Sequence, residues 1–205
     1  MINLYRVEDF GELELDTLRE VGNIGVGNAA TSLSQMLGKV IEISVPEVIV
    51  TKINEIHEIV ETDEIVTGTV VGLSTLENEQ AGFLYVVFTP DSAQKIVEIL
   101  IEDCSDKELI NSAIMEIGNI ISSSFCDAIA NMLNTILVPT PPNYAKDYFI
   151  AVIDVILSQI AEKSDYIIVF EAELKDWEDT IRALIMLFPT EKFFNYIFEL
   201  LNMVE

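Results

Sequence analysis

Leu18-Arg19-Glu20-Val21-Gly22-Asn23-Ile24 and Ile114-Met115-Glu116-Ile117-Gly118-Asn119-Ile120 are variants of one heptapeptide, 96 residues apart. The likeness spreads outward from them. Met36-Leu37 falls on Met132-Leu133 and Pro46 on Pro142 at the same spacing. Farther along, Tyr85–Phe88 with Pro90 falls on Leu184–Leu187 with Pro189, now 99 apart. Self-similarity on this scale points to two halves with one layout. No Ser/Gly/Pro-rich linker divides them, only an acidic corner near Asp103–Asp106. The sequence therefore predicts one domain over 1–205, built of repeats at about 10–104 and 106–205.

Around the first heptapeptide, residues 13–37 carry apolar or small side chains at helical spacing: Leu15, Leu18, Gly22, Gly25, Ala29, Leu33 and Met36. Gly38 supplies a stop. Runs rich in Val, Ile and Thr at 40–51, 64–75 and 80–89 read as strands. Pro90 then opens a helix from Asp91 to about Asp103, since proline suits a first helical turn. The second half repeats the order. A helix over 107–134 carries Ile114, Gly118, Ile121, Phe125, Ile129 and Met132, and an apolar run ends in Pro139-Thr140-Pro141-Pro142. A helix near 147–162 has no counterpart in the first half and reads as an insertion. Strands at 165–175 and 180–188 follow, and Pro189 opens a last helix to about Asn202. Helices with one apolar stripe must cover a sheet face, so the fold class is α+β, a pseudo-twofold sheet covered by two long helices.

Half of the 205 residues are hydrophobic, and 35 acids against 11 bases give a formal charge of −24. Such a surface repels nucleic acid and anionic lipid and favours a partner with a positive patch. Cys104 and Cys126 form no CxxC, and a lone His57 leaves no zinc-ligand spacing. Unpaired thiols fit a reducing compartment. Met1-Ile2-Asn3-Leu4-Tyr5-Arg6 lacks a basic-then-apolar signal pattern. The apolar stretch from Phe149 to Ala161 is broken by Asp154 and Gln159 and is too short to span a bilayer. The expectation is a cytoplasmic protein that neither binds nucleic acid nor enters a membrane.

On a helical wheel Asp16, Glu20 and Asn23 fall within roughly 60° of one another, away from the apolar stripe. Ser112, Glu116 and Asn119 take the same three places in the second helix. Each half thus offers a carboxylate one turn from a carboxamide, with a proline (Pro46, Pro142) 23 residues beyond the Asn. Exposed Glu and Asn are ordinary on a helix surface, but Asn is a poor helix-interior residue. Its recurrence beside a glycine, with matching Glu and Pro, weakens that plain reading. Descent from a duplication could preserve the pattern as well.

The pattern Asp/Ser-xxx-Glu-xx-Asn-x22-Pro resembles the signature of the CheC family of chemotaxis phosphatases, within the CheC/CheX/FliY superfamily. The resemblance covers nearly the whole chain, and two motifs in one chain are similar to the CheC branch. It implies that the substrate is the phosphorylated response regulator CheY. It further implies that Glu20 and Glu116 dock on a lysine of the regulator while Asn23 and Asn119 place the attacking water. Asp16 and Ser112 would give at most a supporting contact. A second partner implied by the family is the receptor deamidase CheD. Phosphoryl transfer asks mainly for positioning and charge stabilisation. A neutral carboxamide can accept a water proton without adding negative charge, and a Glu near a phosphoryl group needs a cation. This chain has no cluster of Arg or Lys and no Asp/His metal constellation in its sequence. No cofactor of its own is expected, and Mg2+ and the lysine would come with the regulator.

Other signals carry less. Gly25-Val26-Gly27-Asn28-Ala29-Ala30 fits G-x-G-x-x-G/A in letters, but lies inside a helical pattern with no strand before it, so nucleotide binding is rejected. His57 sits in an acidic loop without a nucleophile nearby, and Cys126, matched by Ala30, reads as a small buried residue. Ile24 and Ile120 adjoin the motif face and fit either the core or a docking surface. Two further readings remain open at this point: a binding module that holds phosphorylated CheY or CheD without turnover, and a pure scaffold.

Overall fold

In the computed structural model, which describes residues 11–38, 40–59, 64–100, 106–160, 164–175 and 180–201, each heptapeptide lies in the first half of a 26-residue helix. Helix α1 (Glu12–Leu37) begins where the Gly11 N–H donates to the Glu14 carboxylate at 2.9 Å. It ends at Gly38, whose left-handed backbone (φ 64°) is one that glycine adopts without cost. The equivalent α3 (Lys107–Met132) starts from Asp106, whose carboxylate accepts the N–H groups of Glu108 and Leu109. Met1–Arg6, Asp103, Cys104 and Asn202, on which the sequence also placed expectations, lie outside the described residues.

Seven antiparallel strands form one sheet: β1 (Glu42–Lys52), β2 (Ile65–Thr75), β3 (Gln80–Phe88), β4 (Leu137–Pro139), β5 (Asn143–Tyr148), β6 (Tyr166–Lys175) and β7 (Thr180–Pro189). Their order is β1-β6-β7-β3-β2-β4, with β5 also paired to β2. A 3-10 turn (Ile53–Glu58) follows β1, and helices α2 (Pro90–Leu100), α4 (Phe149–Gln159) and α5 (Glu191–Leu201) complete the described elements. β4 and β5 run end to end along the outer side of β2, opposite Leu73–Thr75 and Ile65–Val70. Neither is expected from the sequence. β4 is three residues long, and β5 is mostly polar and half-exposed at the rim, so neither shows an alternating apolar pattern.

The register exposes the symmetry. Val86 of β3 faces Ile185 of β7, and these two residues correspond in sequence at the spacing of 99. Outward from them the row continues to Thr69 and Phe170, then to Tyr144 and Val48, which again correspond at 96. A pseudo-twofold axis therefore passes between β3 and β7. Each outer strand, β1 or β4/β5, pairs with an inner strand of the other half.

Alternate residues of the strands point to two cores. Leu84, Val86, Phe88, Ile168, Phe170, Ile185 and Leu187 pack with side chains of α1, α3, α2 and α5. Tyr85, Val87, Ile167, Val169, Met186 and Phe188 pack with Phe149, Val152, Ile153 and Ile156 of α4. The insertion helix thus closes the second sheet face, which is why the inner strands read as nearly unbroken apolar runs. By length and composition α3 could cross a membrane, but half of that span is buried in the first core.

Glycines let the long helices sit close. A Cβ on Gly25 would come within 3.0 Å of Phe125 Cα, so α1 and α3 cross there backbone to backbone. Gly22 rests on Phe170 of β6, and Gly118 on Thr69 of β2, two strand positions that the axis relates. Of the two fingerprint-like glycines, Gly25 is thus a helix-packing residue, and Gly27 faces open space.

Candidate functional site

Glu20 and Glu116 are both exposed, and Asn23 and Asn119 are both half-buried, so the two helices present their motif residues alike. Each Asn follows a buried glycine, which draws the helix onto the sheet and sets the Asn at the seam between helix and outer strand. Neither carboxamide nitrogen is among the buried, unpartnered side-chain atoms; both remain in reach of solvent. The expectation that the Asn stands with the Glu on an outer face needs one adjustment. The Glu is fully outward, and the Asn is turned partly toward the strand because the flanking glycine brings the strand close.

At the first site the outer strand meets the carboxamide at a β-bulge, and the outer strand of the second half carries an equivalent bulge. In β1 the register steps between Ser44 and Glu47 while β6 advances only from Glu173 to Glu171, one residue fewer. In the second half Pro139 to Asn143 spans Leu73 to Val70 of β2, again with one extra residue. Pro46 and Pro142 both stand in these bulges. Proline has no N–H to give to a ladder, and bulges and edges are where a sheet tolerates it.

The two sites then differ. The Val45 N–H donates to Asn23 Oδ1 at 2.9 Å, fixing the oxygen toward β1 and the Nδ2 outward. The residue matching Val45 is Pro141, which has no N–H, and the Asn119 side chain makes no hydrogen bond among the described residues. Asp16 forms an ion pair with Arg19, whereas the matching Ser112 and Met115 have no charge to pair. Asp16 therefore neighbours the Glu20–Asn23 pair already neutralised. The pair is exposed and adds little to stability.

Two side chains missed in the sequence flank the motifs. Leu13 is 54% exposed and Leu109 48%, each seven residues before its Glu on the same helix face. The spacing of 96 that relates them was itself the signal that could have found them. Ile24 is 50% exposed, while Ile120 is half-buried and packs against the first core. Cavities of about 820 Å³ and 500 Å³ include neither motif Glu nor Asn in their walls, although Arg19 and Glu47 border the first. The site is an outward helix face with an apolar fringe, better suited to entering another protein's cleft than to enclosing a small substrate.

His57 is exposed on the 3-10 turn. Cys126 is buried, and burial together with the Asp127 carboxylate pushes its thiol up to about 12. No group of three or more His, Cys, Asp or Glu that could hold a metal occurs among the described residues.

The CheC-like family matches the sequence twice, over residues 13–50 and 109–144, each match running from the motif helix through the bulge. The chain is 26% identical to "CheY-P phosphatase CheC" of Bacillus subtilis over 196 residues, 91% of this chain and 93% of the relative. Among solved structures, Thermotoga maritima FliY superposes with a TM-score of 0.70 at 21% identity, covering 96% of this chain and 99% of that one. The FliM middle domain from H. pylori gives a TM-score of 0.62 at 11% identity over 93% and 99%. At such identities the two structures establish a shared α+β fold.

Proposed function

We propose that the chain is a CheC-like phosphatase that hydrolyses the phosphoaspartate of the response regulator CheY, in the cytoplasm, with a Glu–Asn pair entering the regulator's active site. The observation that carries the reading is the pair itself. Two helix faces each hold an exposed Glu one turn from a solvent-reachable carboxamide beside a proline-bearing bulge, and the family matches cover both.

Water attacks phosphorus, the bond from phosphorus to the aspartyl oxygen breaks, and the carboxylate leaves with the electron pair. Inorganic phosphate and free aspartate result, the water's protons passing to phosphate oxygens and solvent. The Asn carboxamide oxygen accepts a hydrogen bond from the water and holds its oxygen in line. Glu20 or Glu116 pairs with a lysine of the regulator, which both anchors the complex and keeps the carboxylate from repelling the phosphoryl group. The regulator supplies Mg2+. CheD is the further partner that family membership suggests.

The test follows phosphate release from phosphorylated CheY in the presence of Mg2+. The chain should accelerate it, and Asn23→Ala combined with Asn119→Ala should abolish the acceleration while binding persists. A parent chain that binds the phosphorylated regulator without speeding phosphate loss would reduce the protein to a binding module.

A further inference from the structure

Asn23 and Asn119 are equivalent in sequence and in their helices, yet among the described residues one carboxamide oxygen is bound and the other is not. The cause lies in the chain facing them. Val45 can donate an N–H from the bulge of β1, and Pro141, at the same point of the bulge between β4 and β5, cannot. We propose that the two sites are unequal, that the Glu116/Asn119 site carries most of the turnover, and that Pro141 is the positioning residue that makes it so.

This inequality rests on the phosphatase reading and turns on the carboxamide oxygen. To orient water as a proton acceptor, that oxygen must face the docked regulator. In the first site it is turned to the Val45 N–H, leaving Nδ2, a donor, on the outer side. Facing the oxygen outward there means breaking a formed hydrogen bond and leaving a partly covered backbone N–H without its acceptor. The second site has no such bond to break. Asn119 can turn its oxygen to the water, and the proline leaves no stranded N–H behind. Asp16 and Arg19 reinforce the difference, since the first site carries an ion pair that a docking lysine must accommodate and the second carries Ser112 and Met115.

Single variants separate the sites. If one net hydrogen bond sets the ratio, the second site is about five-fold faster. Asn119→Ala then loses about four-fifths of the turnover and Asn23→Ala about one-fifth. In an Asn23→Ala background, Pro141→Ala restores an N–H opposite Asn119. Pro142 still confines the new alanine to extended backbone, so the loop keeps its course. The expected result is a kcat about five-fold lower with KM unchanged, and a shifted Asn119 side-chain amide signal in the NMR spectrum. A damaged fold would instead move the melting temperature and KM.

An Asn119→Ala variant that keeps more turnover than Asn23→Ala overturns the proposal. So does a Pro141→Ala variant with unchanged kcat. If the parent chain releases no phosphate, the phosphatase reading fails and takes this inference with it; unequal loss in the single variants can arise only if that reading holds.

Discussion

Replacing Gly118 by alanine should unfold the protein more easily, although in a free helix the same change stabilises. A Cβ there falls inside contact distance of Thr69 Oγ1 and lies 2.6 Å from its Cγ2 and 2.8 Å from its Cβ. Thr69 is fully buried on β2, and its branched side chain is stiff about χ1, so it cannot swing clear. Overpacking of this kind costs about 3 kcal/mol, at the upper end of its usual range. The gain from replacing a mid-helix glycine is about 1 kcal/mol. The net loss is about 2 kcal/mol, which for a chain of this size lowers the melting temperature by about 4–8 °C. Gly27→Ala is the matched control: a Cβ there meets nothing within 4 Å, so it should raise the melting temperature by about 2–4 °C. Thermal denaturation followed by circular dichroism reads both. Thr69→Ala added to Gly118→Ala should recover part of the loss, with a coupling of about 1 kcal/mol. If Gly118→Ala stabilises as Gly27→Ala does, α3 does not lie against β2 at Thr69, and the placement of Asn119 beside the bulge fails with it.

Glu20→Gln with Glu116→Gln should raise KM for phosphorylated CheY while kcat changes little, and steady-state phosphate release reads the split. Leu13→Ser with Leu109→Ser should leave stability within about 0.5 kcal/mol, since both leucines are half-exposed, while titration calorimetry with phosphorylated regulator shows weaker binding. Cys126, in a Cys104→Ser background, should resist a thiol reagent at pH 8 and react once the chain is denatured. Its thiol holds its proton in the fold up to about pH 12 and loses it near 9 when unfolded. The unfolded state therefore binds fewer protons in between, and stability should fall as pH rises through that interval in alkaline urea titrations.

The two long helices, the inner strands and the α+β class were legible because their residues obey a period, 3.6 for the helices and 2 for the strands. The duplication was legible because Glu-x-Gly-Asn recurs at fixed spacing. β4 and β5 were not, since a strand at the rim is recognised by what it pairs with rather than by its own pattern. The same limit applied at the site. Asp16, Glu20, Asn23 and their counterparts could be placed on a helix face from spacing alone. That Val45 binds Asn23 while Pro141 has nothing to offer Asn119 depends on a strand 22 residues away in sequence coming alongside. The letters for it were present at 45 and 141, but no periodicity marks a missing N–H.

The crossing of β1 into the neighbourhood of β6, and of β4/β5 into that of β2, means that this protein cannot be cut into two working pieces. A fragment ending after α2 would carry one motif helix and an orphaned border strand with its hydrogen-bonding groups bare. Two copies of that fragment could satisfy each other by swapping borders about a true twofold axis, and would do so only at concentrations that hold the pair together. Joining both copies in one chain removes that dependence on concentration. It also frees the loop at 141 to diverge from the one at 45, a liberty that identical subunits do not have.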